Sequence, residues 1–101
     1  MAVFPLRVVY MKVEATDLPP VSILVSVPKK RFHHAVDRNR MKRLVREAYR
    51  LHKHILWKAL EEKNFRLVVA FVCITDTLPS FQVVDRSVKK ALTRMAEKVG
   101  A

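Results

Sequence analysis

Glycine is nearly absent from this sequence: Gly100 is the only one in 101 residues. That excludes a glycine-rich phosphate-binding loop and the nucleotide-binding sites built on one. Cysteine is equally scarce. Cys73 stands alone, so no internal disulfide can form, and a reducing, cytoplasmic setting is expected. Apolar runs are short. The longest, Leu67 to Ile74, has eight residues, against roughly 20 for a membrane-spanning helix. No charged segment followed by an apolar one opens the sequence, so no signal peptide is expected. Acidic residues are in the minority, and Asp17, Asp76 and Asp85 fall in different predicted elements. No paired carboxylates and no Ser-His or Cys-His arrangement can be assembled, so no protein-borne nuclease or hydrolase site is expected.

What remains is a basic, moderately hydrophobic chain the size of one domain, residues 1–101. Lys and Arg number 20 against 9 Asp and Glu, a net charge of +11, and half of the residues are hydrophobic. A folded domain with that imbalance meets a polyanion. Nucleic acid is the leading candidate and an anionic membrane surface the second.

Residues 3–13 are rich in Val, Phe and Tyr and read as one strand. Leu6, Val8, Tyr10 and Lys12 share one face and Arg7, Val9, Met11 and Val13 the other, with apolar groups on both. Glu14 to Pro20 reads as a turn, and residues 21–27 as a second strand with Val21, Ile23, Val25 and Val27 on one face. The short link suggests an antiparallel hairpin. Pro28 ends that strand. A long helix is expected from near Ala35 to Leu60, with Asp37 in its first turn, where a negative charge suits the helix dipole. Residues 65–74 read as a strand buried on both faces. Ser80 is a plausible N-cap for a last helix, whose apolar face carries Val84, Val88, Ala91, Leu92, Met95 and Val99. Lys89, Lys90, Arg94 and Lys98 lie away from that face. The order β-β-α-β-α predicts an α+β two-layer sandwich of a small sheet and helices.

The stretch from Lys29 to Lys53 dominates the charge pattern, with ten Lys or Arg and two acids, Asp37 and Glu47. At 100° per residue, Met41, Leu44, Val45, Ala48, His52 and Ile55 gather within about 60° of one direction. Asn39, Lys42, Arg43, Arg46, Arg50 and Lys53 gather on the opposite side. The two acids lie off that stripe, so little on the helix itself is expected to neutralise it. A solvated face is the ordinary meaning of a charge run. Charge of one sign, alignment on one stripe, and the dominance of Arg over Lys from 38 to 50 favour nucleic acid here, because the guanidinium fork suits phosphates and base edges. Lys29, Lys30 and Arg31 extend the stripe as a basic loop.

Other candidates carry less. His33 and His34 are adjacent, and His52 and His54 are two apart. Neither pair has the i, i+4 spacing of a helical zinc site, and no metal site is expected. Cys73 reads as core, and Tyr10 and Phe32 as packing. Trp57 points away from the apolar stripe and is expected to cover a neighbouring loop.

The run Ala35-Val36-Asp37-Arg38-Asn39-Arg40-Met41-Lys42-Arg43-Leu44-Val45-Arg46-Glu47-Ala48 resembles the signature of the protein subunit of bacterial ribonuclease P. Ser26-Val27-Pro28-Lys29-Lys30 fits the end of the strand that precedes it in that family. The agreement in element order runs from about Phe4 to Val99. The resemblance implies the fold of ribosomal protein S5 domain 2, with a left-handed βαβ crossover, although the general rule favours the opposite hand. It implies an RNA-binding subunit that assists a catalytic RNA in removing the 5′ leader of precursor tRNA. Mg²⁺ would be held mainly by the RNA. By position, Arg38, Asn39, Arg40, Lys42, Arg43 and Arg46 would contact the ribozyme and nearby substrate, with Lys29, Lys30, Arg31 and Arg50 extending the surface. Tyr10 would belong to the leader-binding cleft, where unpaired bases stack on aromatic rings.

One departure stands out. The family's N-terminal helix has no counterpart before Phe4. The expectation is a weaker grip on the leader and an uncovered sheet face prone to self-association. A ribosomal-RNA or other nucleic-acid binding module without processing activity fits the composition equally well. Only the signature separates the two.

Overall fold

The computed structural model describes residues 1–14 and 19–100. Six elements follow one another: β1 (Ala2–Val3), β2 (Leu6–Glu14), β3 (Val21–Ser26), α1 (Ala35–Leu60), β4 (Phe65–Cys73) and α2 (Phe81–Gly100). They form an α+β sandwich of one four-stranded mixed sheet and two helices. The sheet order is β1-β2-β4-β3.

Two expectations about the strands require correction. The segment read as one strand from residue 3 is two. The chain reverses at Phe4-Pro5, and Val3 pairs antiparallel with Leu6. Pro5 cannot donate to a ladder, which suits it to the reversal. Nor do β2 and β3 form a hairpin. β4 lies between them, antiparallel to β2 and parallel to β3. β4 is the most apolar strand and takes the position where both of its edges are paired, while β3 reaches it through α1 as a parallel crossover. The turn expected over Glu14–Pro20, with Asp17, falls mainly on residues 15–18, outside the described residues.

A third correction concerns burial. Along β4, Leu67, Val69, Phe71 and Cys73 are buried, whereas Arg66, Val68, Ala70 and Val72 are half-buried. Leu6 and Val8 of β2 and Val21 and Val25 of β3 are buried on the same side. Both helices cover that side. The other carries Arg7, Val9, Met11 and Leu24 in the open, the last three 55–62% exposed.

The helices earn their places by their apolar stripes. Met41, Val45, Ala48, Leu56 and Leu60 of α1 are buried, as are Val84, Val88, Ala91, Leu92, Met95 and Val99 of α2. Each fully buried side chain of Val, Leu, Phe or Met size contributes roughly 1.5–3 kcal/mol. Three polar contacts fix the packing. The Ser80 hydroxyl accepts from the Val83 N–H at 3.4 Å and caps α2. Ser87 Oγ donates to the Val3 carbonyl at 2.5 Å, tying α2 to the edge strand. His52 Nε2 lies 2.8 Å from Asp85 Oδ1, joining the two helices. With 26 residues, α1 is about 39 Å long, nearly the full 41 Å extent of the molecule.

Candidate nucleic-acid interface

The interface begins in the connection from β3 to α1. Pro28 accepts backbone bonds from Arg31 (3.0 Å) and Phe32 (3.4 Å), which closes a tight turn. Phe32 buries its ring and anchors that turn to the core. Lys29 and Lys30 are left exposed at the tip. Arg31 does not stand free. Its guanidinium lies 3.2 Å from Asp76, a carboxylate beyond β4. Sequence could not place that partner, because it is 45 residues away.

The helix then opens without a side-chain cap at His34. Arg38 supplies an anchor instead: its guanidinium donates to the carbonyls of Phe32 and His33, both at 3.0 Å. Successive helical residues are 100° apart, so Arg38-Asn39-Arg40 cannot act as one surface. Arg38 turns back to the loop, Asn39 joins the main basic stripe, and Arg40 is exposed on the other flank.

Asn39, Lys42, Arg43, Arg46, Glu47 and Arg50 line a shallow groove of about 430 Å³ along α1. The expectation that the acids leave this stripe alone is corrected here. Glu47 reaches across one turn and takes two bonds from Arg50, at 2.6 and 3.1 Å. The i, i+3 spacing allows that reach. The Arg50 guanidinium holds the Glu47 carboxyl below its ordinary value of 4.5. Lys42, Arg43 and Arg46 have no such partner among the described residues and form the uncompensated part of the groove.

Farther along, Trp57 does not cover a loop as expected. Its indole Nε1 donates to Tyr49 Oη at 2.8 Å, and Lys53 Nζ sits 5.0 Å from its ring centre. All three belong to α1, and an i, i+8 contact between two large rings lies outside the usual helical pairings. Burial pushes the Tyr49 hydroxyl above its ordinary 10.0. Tyr10 lies on the helix-covered side of β2 with Leu6 and Val8, half-buried against the core. His33, His34 and His54 are exposed, and no group of three or more His, Cys, Asp and Glu side chains among the described residues is placed to hold a metal. No helix among these residues is long and apolar enough to cross a membrane.

A sheet with two helices on one side, one of them carrying this basic groove, invites comparison with known proteins. The profile of the ribonuclease P family matches residues 3–96, nearly the whole chain. The chain belongs to the ribonuclease P protein family. It is similar to the ribonuclease P protein component of Porphyromonas gingivalis, 50% identical over 97 residues, covering 96% of this chain and 71% of that one. It is also similar to that of Chlorobaculum tepidum, 38% identical over 89 residues, with 82% and 58% covered. A third relative, from Chlorobium phaeobacteroides, is 33% identical over 81 residues, with 73% and 56% covered. No solved structure gives a significant match. Membership in the ribonuclease P family gives the α1 groove its context, a subunit of an endoribonuclease complex whose partner is RNA.

Proposed function

We propose that this chain is the RNA-binding subunit of ribonuclease P and seats on the enzyme's RNA through the α1 groove and the Lys29–Arg31 turn. The observation that carries the reading is the groove itself: Asn39, Lys42, Arg43 and Arg46 on one helical face, with Glu47 neutralising only Arg50. Guanidinium and ammonium groups so arrayed neutralise phosphates and release counterions. Asn39 adds an amide that both donates and accepts. Arg38 holds the turn that presents Lys29 and Lys30, so loop and helix meet the RNA as one rigid ridge.

In this reading the chemistry belongs to the RNA, which holds the catalytic Mg²⁺ and cleaves the 5′ leader from precursor tRNA. The protein screens phosphate repulsion and orients the substrate. The leader approaches Tyr10 from the end of β2 where Lys12 and Glu14 are exposed. The open sheet face, with Val9, Met11 and Leu24 bare, supports self-association of the isolated chain. Strictly monomeric sedimentation at high concentration would dispose of that last point.

The test is reconstitution with ribonuclease P RNA at low Mg²⁺, scoring 5′ processing of precursor tRNA. Added protein should restore cleavage that the RNA alone performs poorly. Arg43→Ala and Arg46→Ala should each weaken assembly and lower the slope of log affinity against log salt by about 0.9. Full processing at low Mg²⁺ with both groups removed and an unchanged slope would refute the reading.

A further inference from the structure

A second groove lies away from α1. It has a volume of about 800 Å³ and opens between the β1 edge of the sheet and the outer face of α2. Its walls carry Phe4, Arg86, Lys89, Lys90 and Arg94, with Glu97 as the single acid. The four cations are exposed, and none forms an ion pair among the described residues. The Phe4 ring is 67% exposed, the most exposed large apolar side chain among these residues.

The groove is built rather than accidental. Ser87 Oγ bonds to the Val3 carbonyl and holds α2 against β1, which sets the separation of the two walls. Asp85, one flank round the same helix, bonds to His52 of α1. No residue lines both this groove and the α1 groove. Arg86, Lys90 and Arg94 recur every fourth residue, about 6 Å apart along the axis, a spacing that successive phosphates of a single strand can follow. A guanidinium or ammonium ladder beside an exposed aromatic ring is the chemistry of single-strand binding: cations track the backbone while a base stacks.

We propose that the groove between β1 and α2 binds an unpaired RNA segment, with phosphates on Arg86, Lys90 and Arg94 and a base stacked on Phe4. The proposal rests on the α1 reading only for the identity of the RNA. The groove's own chemistry selects single strands, whereas the ringless α1 groove does not. A duplex, whose bases are already paired and stacked on one another, would leave Phe4 unused.

The test measures binding of a fluorescein-labelled uridine oligonucleotide to the full chain by anisotropy across a salt series, with ribonuclease P RNA measured in parallel. Lys90→Ala/Arg94→Ala should lower the oligonucleotide's salt slope by about 1.4, two single-strand phosphates. Phe4→Ser should weaken it about fivefold or more with little change of slope. Both variants alter exposed side chains, and unchanged circular-dichroism melting confirms the fold. Arg43→Ala/Arg46→Ala is the partner experiment on α1. Loss confined to the α2 and Phe4 variants supports the single-strand groove, and loss with both sets supports it alongside α1. Loss confined to the α1 variant overturns the groove while leaving the α1 reading intact. If neither set changes any binding, both are overturned.

Discussion

Arg38 separates two roles that a signature motif merges. In the structure its guanidinium donates to the Phe32 and His33 carbonyls at 3.0 Å each, the first partly buried and the second exposed. A hydrogen bond from a charged donor is worth about 1.5 kcal/mol at the lower end of its range, and an exposed one about 0.5 kcal/mol. Arg38→Ala should therefore cost about 2 kcal/mol. Alanine's better helix propensity returns a few tenths of this. For a chain of 101 residues, that destabilisation lowers the melting temperature by about 10 °C. Arg43→Ala is the control: its side chain is exposed, has no ion-pair partner among the described residues, and should melt within a degree or two of the parent. Circular-dichroism melts of the two variants, read beside their affinity for ribonuclease P RNA, give the answer. Arg38→Ala should lose stability and affinity together, and high salt should not erase the stability loss, because the two acceptors are neutral carbonyls. Equal melting temperatures for the two variants would refute the anchoring role.

Three further outcomes follow from the same geometry. Glu47→Gln frees Arg50 from its bidentate partner and should tighten RNA binding with a steeper salt slope; unchanged titrations would show that Arg50 does not face RNA. Phe71→Ala, at the centre of β4 with no exposure, should cost about 3–5 kcal/mol. That is a large share of the 5–15 kcal/mol typical of a domain, and urea denaturation should show a matching fall in midpoint. Burial raises the Cys73 thiol and the Tyr49 hydroxyl above their ordinary values of 9.0 and 10.0. The folded chain therefore holds these protons after the unfolded chain has lost them. Stability should be level up to about pH 9 and fall as pH rises toward the folded values. Cys73→Ala should remove the first part of that fall, and a urea midpoint flat from pH 8 to 11 would contradict it.

The helices were legible because their information is local. The 3.6-residue spacing from Met41 to Leu60 and from Val84 to Val99 places α1, α2 and their buried stripes from the sequence alone. Asp37 and Ser80 mark the starts. Charge of one sign on one stripe likewise pointed to a polyanion before any coordinates, and the Arg38–Arg46 signature pointed to the family. Pairing between strands is not local, and there the sequence misled. Nothing in residues 3–27 reveals that β4, some 40 residues later, comes between β2 and β3. Nor does periodicity tell which face of a strand with apolar groups on both sides is left bare. That depends on both helices choosing the same side of the sheet.

The individual charges divide in the same way. Sequence alone determined that Lys29 to Lys53 is a cationic helix with its basic entrance. Only the folded side chains decided which of those cations are available, by local contacts for Arg38 and Arg50 and by a tertiary one for Arg31. Arg31 is held by Asp76 across 45 residues, Arg38 is turned onto loop carbonyls, and Arg50 is answered by Glu47. The formal charges follow from composition, but the field at the surface depends on distances of 3–5 Å between groups that folding brings together. The groove between β1 and α2 is the extreme case. Its cations are visible in the sequence, but Phe4 comes to face them only because the chain reverses at Phe4-Pro5 and Ser87 binds Val3.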